Sequence, residues 1–588
     1  MPDDMKKLFA SLVLSLPILA SAQLFVKTGS YAYVGNQFLY VKQDVNLQNN
    51  GNIFLRNGGQ LIQGTTGTST NQGQGAVSAF QEGNVDNFEY NYWCSPVGNA
   101  SPATGNESFG ITMLNRPTTV TASSPATMLA MSALDGTTTN SSLNIAPRWI
   151  FKFLSSDQYS QWVQAGSATS IGPGEGFTMK GTSGTDNAFS ENGVANNPGA
   201  AQRYDFRGKP NDGNITVNVA AGKMTLTGNP YPSSLDLRSW LLSQANCTGI
   251  AYFWEQDKNV NSHYISAYQG GYGTYAAGSN TYVAPVFYGY DGAGTQLGVV
   301  GAGTNYPRQY SPIAQGFMIE GASTGTVTLS NAYRVFKREG IETAFSRPAP
   351  LAGSQSVSGD DATPQIRLNV QINDNSVRQL ALTFSPLATD GVDRAWDAKS
   401  PGGGTSDGFF PIGGNEYVIA AVNFDINARI PFGFKCSEAQ TFRITVGDMI
   451  NFNDAGHVYL HDKINDVYHE ILGSVCELQL PSGTDTSTYE VTFTNNMLGV
   501  PQLSDQAFDI VQDNSAQQLM ISNPDTLDVR SCGLYDMTGK LVLYRSDLGN
   551  APAYRISTAS LAEGIYIVKI LTSQDQSFSR KISVFRKQ

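Results

Sequence analysis

Histidine is nearly missing from this chain of 588 residues: the four (263, 457, 461 and 469) leave imidazole general bases scarce. Cysteine is almost as rare. The five cysteines (94, 247, 436, 476 and 532) include no two at metal-ligand spacing, which argues against a zinc site. Cys436 and Cys476 fall in one expected domain and are candidates for a disulfide, with small buried thiols as the alternative. Charged residues make up only 14% of the chain, its net charge is −11, and no basic cluster interrupts its body. Gripping a phosphate backbone takes clustered Lys and Arg, so nucleic acid is excluded as a partner. With so little Lys and Glu, long helices are not expected either. No run beyond residue 22 is apolar enough to cross a bilayer. Neither a His-Glu-x-x-His pair nor a Walker phosphate loop occurs, and no catalytic or cofactor-binding residue is nominated.

What the chain has instead is glycine (60), tyrosine (27) and abundant Asn, Thr, Ser and Gln, a composition suited to short strands joined by polar turns. It is too long for one core. An all-β fold is expected, with several antiparallel β-sandwich or β-rich domains in tandem. The start reads as an export signal. Lys6 and Lys7 form a positive region, Leu8 to Ala20 an apolar stretch broken by Pro17, and Ala20-Ser21-Ala22 a small-residue cleavage site before Gln23. Residues 1–22 are therefore assigned to a signal peptide.

Residues 23–85 carry short apolar segments such as Ile53-Phe54-Leu55 and Gln60-Leu61-Ile62 between Asn/Gly corners, and should stack as coils or hairpins. Residues 86–335 hold two similar stretches, 86–182 and 224–322, read as an internal repeat whose copies pack face to face. The first opens at Tyr92-Trp93-Cys94-Ser95-Pro96 and closes at Gly174-Glu175-Gly176-Phe177-Thr178-Met179. The second opens at Gly228-Asn229-Pro230-Tyr231-Pro232 and closes at Ala314-Gln315-Gly316-Phe317-Met318-Ile319. Ser233/Ser234 is expected to cap a short helix bearing Leu235, Leu237, Trp240 and Leu241. Residues 336–363 read as a linker. Residues 364–500 read as an antiparallel sandwich that begins with a hairpin of Ile366–Ile372 and Arg378–Phe384.

Three residue groups invite a functional reading beside a plainer one. His457, Tyr459 and His461 alternate along a strand, and His461 and Asp462, with His469 beyond a short turn, are candidate metal ligands. Four residues of strand span about 13 Å, however, so a hairpin with a hydrated face is preferred and no metal is assigned. Asn373-Asp374-Asn375 and Asn451 to Asp454 are either Ca²⁺ loops or ordinary turns, and turn chemistry is preferred. Trp93, Trp149, Trp240, Trp254 and Trp396 lie in apolar segments and are expected in the core. Trp162, between polar neighbours, is left open as a sugar-stacking residue.

The last domain, residues 508–588, carries the most specific pattern. Leu534-Tyr535-Asp536-Met537-Thr538-Gly539-Lys540-Leu541 sets two strands around a turn, and Gly564-Ile565-Tyr566-Ile567-Val568-Lys569-Ile570 follows. Strand 565–571 is apolar on both faces, which predicts burial on both sides. Asn523-Pro524 reads as a turn between strands. This order resembles the C-terminal sorting domain (type A-like) of proteins exported by the type IX secretion system of Bacteroidetes, and implies a small Ig-like β-sandwich that serves as an address. The residues carrying the resemblance are Tyr535, Asp536, Gly539, Lys540, Gly564, Tyr566, Val568 and Lys569. The implied partners are the outer-membrane translocon and a sortase-like peptidase, after which cargo is attached to surface lipopolysaccharide or released. The expected function is that of a non-enzymatic surface or adhesion-type protein contacting glycans, other cells or a substratum. The alternative is a carbohydrate-binding or polysaccharide-acting secreted protein.

Overall fold

The computed structural model describes residues 23–339, 363–373, 377–400, 404–495, 508–573 and 576–586. Ala20, Ala22 and most of the expected linker lie outside these, while Gln23 is exposed. Strands and turns make up nearly all of the described residues, and their one α-helix is Leu237–Ser243. The chain divides into two compact units between Thr494 and Asn495.

The first unit begins as a parallel coil. Leu24–Val26 pairs in parallel with Val45–Leu47, Tyr31–Gly35 with Asn52–Arg56, and Phe38–Val41 with Gln60–Gln63. Asn36, Asn50 and Asn57 sit at corners with φ of 54°, 58° and 49°. Asparagine tolerates this left-handed region better than other side chains. Ala76–Glu82 then runs parallel to Asn52–Arg56 and antiparallel to Arg203–Pro210. Residues 23–85 are thereby joined to the sheet of the next region.

In that region the opening and closing segments become neighbouring antiparallel strands. Tyr90–Cys94 pairs with Gly176–Lys180, setting Phe177 opposite Trp93, and Met224–Gly228 pairs with Gly316–Gly321, setting Phe317 opposite Thr227. The two pairs touch at Gly316, where an added Cβ would stand 2.6 Å from the backbone nitrogen of Trp93. Only glycine permits that approach. The helix is capped two residues beyond Ser234, at Asp236. Ser234–Asp236 is a strand, and the Asp236 carboxylate accepts from the Ser239 N–H (3.0 Å) at the start of Leu237–Ser243. An Asp cap satisfies the free amide as well as a Ser cap, and it leaves the serines to the sheet.

Eleven strands between Gln365 and Thr492 form one continuous sheet. It contains a single parallel pair, Val377–Phe384 with Asn415–Val422, joined by the long crossover that parallel neighbours require. The sheet closes around its own aromatic core: Phe434 and Phe442, from strands far apart in the order, meet at 5.0 Å between ring centres. That core is continuous with Tyr92, Tyr252 and Met318 of the preceding region.

The second unit packs a three-stranded sheet against a four-stranded one around Phe508, Leu519, Leu534, Val568 and Ile570. Here one expectation fails. Strand Gly564–Thr572 buries Tyr566, Val568 and Ile570, but Ile565 and Ile567 are 42% and 37% exposed. An apolar residue facing outward on a sheet covered on one side looks, in sequence, like one facing a second layer.

Candidate functional site

Aromatic residues occupy both faces of the seven-stranded sheet built on Cys247–Gln256. Ala251 and Phe253 enter one core, while Tyr252 and Trp254 turn to the opposite side. There they meet side chains from strand Tyr90–Cys94 and from residues 149–162 to line a cleft of about 870 Å³. That volume suits a small-molecule or oligomer segment. Trp254 lies parallel to Tyr92 (6.4 Å, 8° between planes) and edge-on to Tyr272 at 5.0 Å. The Tyr92 and Tyr272 hydroxyls hydrogen-bond at 2.8 Å. Trp162 packs on Phe153 at 4.7 Å. At the mouth, Tyr159 is 56% exposed and lies across Gly294, and half-buried Trp149 stacks on His263 at 5.2 Å.

Trp149 and Trp254 are thus cleft residues, against the expectation that both are core, and Trp162 joins them. Trp93 and Trp240 are fully buried, as expected, and Trp396 is half-buried against Gly278. Trp149 ends a 3-10 turn, Pro147–Trp149, and not a strand; for Trp254, strand alternation explains the error. A strand with aromatics at successive positions serves two faces, and sequence does not say which face is open.

Beneath the cleft lies a buried charged group. The Lys180 ammonium sits 4.2 Å from the Trp149 ring centre and 4.9 Å from those of Tyr90 and Tyr268. It donates to the Tyr268 hydroxyl (2.6 Å) and lies 3.1 Å from His263 Nδ1, whose Nε2 meets Asp135 at 2.8 Å. Burial lowers Lys180 to about 7 and raises Glu89 to about 8, the latter helped by its hydrogen bond with Asp86. From the ordinary carboxyl range up to about 8 the folded protein keeps a proton on Glu89 that the unfolded chain releases, so this group costs stability as pH rises. Lys180 acts with the opposite sign above about 7, because only the unfolded chain then stays fully protonated. Glu89→Gln mimics the protonated acid. It is expected to flatten the fall in Tm between about pH 5 and pH 8, which thermal melts at several pH values would measure.

The other nominated residues are scattered. His457 meets Glu470 (2.9 Å), and buried His461 bridges Glu490 (2.8 Å) and Asp466 (3.0 Å) while stacking on Tyr468. Among the described residues no group of three or more His, Cys, Asp or Glu side chains is placed to hold a metal. Cys436 and Cys476 are free, buried thiols, like the other three cysteines. The Asn373 side-chain amide oxygen Oδ1 accepts from the Thr441 N–H (3.0 Å) in a turn, and Asp374 and Asn375 lie outside the described residues. Gly321-Ala322-Ser323-Thr324-Gly325 has the spacing of a nucleophile elbow. It is a turn between the strands Gly316–Gly321 and Gly325–Leu329, however, and Ser323 donates to Asn246 (2.7 Å).

In the second unit the signature residues divide by role. Tyr566 and Val568 are core. Asp536 holds the turn: its carboxylate accepts from the N–H groups of Thr538 (2.9 Å) and Lys540 (3.1 Å), and Gly539 takes φ +82°. The Thr538 hydroxyl hydrogen bond, with those amides, holds the Asp536 carboxyl below its usual range. Asn523 is buried in the connection between the strands Gln518–Ser522 and Val529–Asp536, where its amide donates to the carbonyls of Leu527 (2.8 Å) and Ala551 (3.0 Å). Tyr535 and Lys569 face outward from the four-stranded sheet.

This sandwich, with its Tyr-Asp turn and Gly-x-Tyr strand, is of the class that addresses proteins for export. Residues 515–584 match the secretion system C-terminal sorting domain, so the protein is a type IX secretion cargo carried across the outer membrane. Residues 111–493, more than half of the chain, match the domain of unknown function DUF8693, and the chain belongs to that family. No curated protein matches it. One solved structure, titled "Biofilm associated protein - BSP domain", is similar at 10% identity with a TM-score of 0.12, over 89% of this chain and 98% of that one. A TM-score so low carries no argument about fold or role.

Proposed function

We propose that the protein is a non-enzymatic, adhesion-type surface or secreted protein whose aromatic cleft holds a carbohydrate segment. The observation that carries this reading is the cleft itself, roomy and walled by Trp149, Tyr159, Trp162, Trp254 and their tyrosine neighbours. Such rings stack on the C–H faces of pyranoses, and Tyr hydroxyls at their edges pair with sugar hydroxyls. Export supports it, because glycans outside the cell are then the available ligands. After transit the sorting domain is cleaved, and the cargo is attached to surface lipopolysaccharide or released. The stretches 86–182 and 224–322 are read as duplicated units, each supplying part of the cleft wall.

A polysaccharide-acting enzyme is the second reading, because Asp157 and Glu320 line the same cleft. Asp157, however, is paired with Lys223, which makes it a poor proton donor. A glycan-array screen of the mature chain tests the proposal. Binding is expected to weaken by about tenfold or more in Trp149→Ala and Tyr159→Ala, both partly exposed and separable from folding. Uniformly blank arrays would refute carbohydrate binding. Shortened oligosaccharide products, lost in Asp157→Asn, would favour the enzyme.

A further inference from the structure

Strand register gives the two outer faces of the sorting domain opposite chemistries. On the three-stranded sheet, Val511 and Met520 stand in one row with Arg555, and the flanking row is Asp509, Ser522 and Ala553. That face is mostly polar. On the four-stranded sheet, Leu541, Tyr535, Ile567 and Lys581 form one row across all strands, and Tyr544, Gly533, Lys569 and Ser579 form the next. Leu541, Tyr544, Ile565 and Ile567 are 45%, 51%, 42% and 37% exposed. Gly533 has no side chain to interrupt them: an added Cβ there would lie 3.1 Å from the Tyr535 ring and 3.2 Å from Leu541. The Tyr535 ring therefore lies flat and closes the strip.

Neither Lys569 nor Lys581 has a carboxylate within ion-pairing distance among the described residues, and the Asp536 carboxylate, next to Tyr535, accepts from the amides of its own turn. A continuous apolar strip rimmed by unneutralised cations is costly to leave in water and marks a contact surface. Two of the sorting signature's residues, Tyr535 and Lys569, stand on it, whereas Tyr566 and Val568 are needed for the core.

We infer that this face of the four-stranded sheet is the surface gripped during export, and that the component of the secretion machinery seated on it presents an apolar groove bordered by carboxylates. Charge complementarity selects that partner: the rows offer cations and no free acid. The assignment rests on the sorting domain and is independent of the carbohydrate reading.

The test uses the full chain in a cell carrying the secretion system, with surface and periplasmic fractions measured. Ile567→Glu combined with Leu541→Glu is expected to cut the surface fraction by about tenfold or more, as loss of contact residues does, while the chain accumulates in the periplasm. Val511→Glu with Met520→Glu on the opposite face is the matched control, expected to export normally. Lys569→Glu with Lys581→Glu removes no apolar contact and should also block export; it decides the matter if the first variant misfolds. Wild-type export of the charge-reversed chain, or an equal block from the control pair, would overturn the inference.

Discussion

A chain lacking residues 508–588 is expected to fold its body normally and fail to leave the cell, with surface signal reduced to background. The division between Thr494 and Asn495 leaves each unit its own core. The core of the first ends at Phe493, and that of the second begins at Phe508. Each core is built from its own unit's residues, so the melting transition of the shortened body is expected to match that of the same region in the intact protein. Export is different, because the sorting domain matched over residues 515–584 is removed. Cell fractionation with a surface-protease assay measures the outcome. Normal display of the shortened chain would place the address elsewhere.

The largest effect on stability is expected at Asp407. Its carboxylate receives the Arg378 guanidinium, with Nε at 2.8 Å from Oδ1, and both side chains are 3% exposed. The Tyr288 hydroxyl joins them, 3.0 Å from Asp407 Oδ2 and 2.6 Å from Arg378. Tyr288 belongs to strand Val286–Tyr290, whose Tyr290 lines the cleft, so the triad ties the eleven-stranded sheet to the cleft wall. Asp407→Ala would leave a buried cation without its counter-charge, at about 3–5 kcal/mol of stability. Replacing both ionic partners, Asp407→Leu with Arg378→Met, should recover much of that loss because no charge is then stranded. Urea denaturation of the single and double variants measures both. A single variant no less stable than the double would show that the ion pair does not matter.

The sorting domain was legible because its signature is local. A strand, a tight turn held by Asp536 and Gly539, and a second strand are set by adjacent residues, so their order survives in one dimension. Turn corners at Asn50 and Asn57 were readable for the same reason. The cleft was not. Trp149, Trp162, Trp254 and Tyr290 come from distant segments, and whether each ring is open or covered depends on which sheet face finds a partner. The same ambiguity misassigned Ile565 and Ile567, whose apolar side chains look identical in sequence whether a second layer covers them or not.

By itself, then, the amino-acid order determined the β-rich character, the turns and the destination, since these follow from neighbours along the chain and from alternation on a strand. Tertiary structure alone decided that Trp149 and Trp254 wall a cavity, that Asp407 shares its charge with Arg378, and that one sheet of the last domain shows water an apolar strip. Burial is a property of the assembled layers: each face is covered or left open only when non-local strands come together, and no window of sequence contains that information.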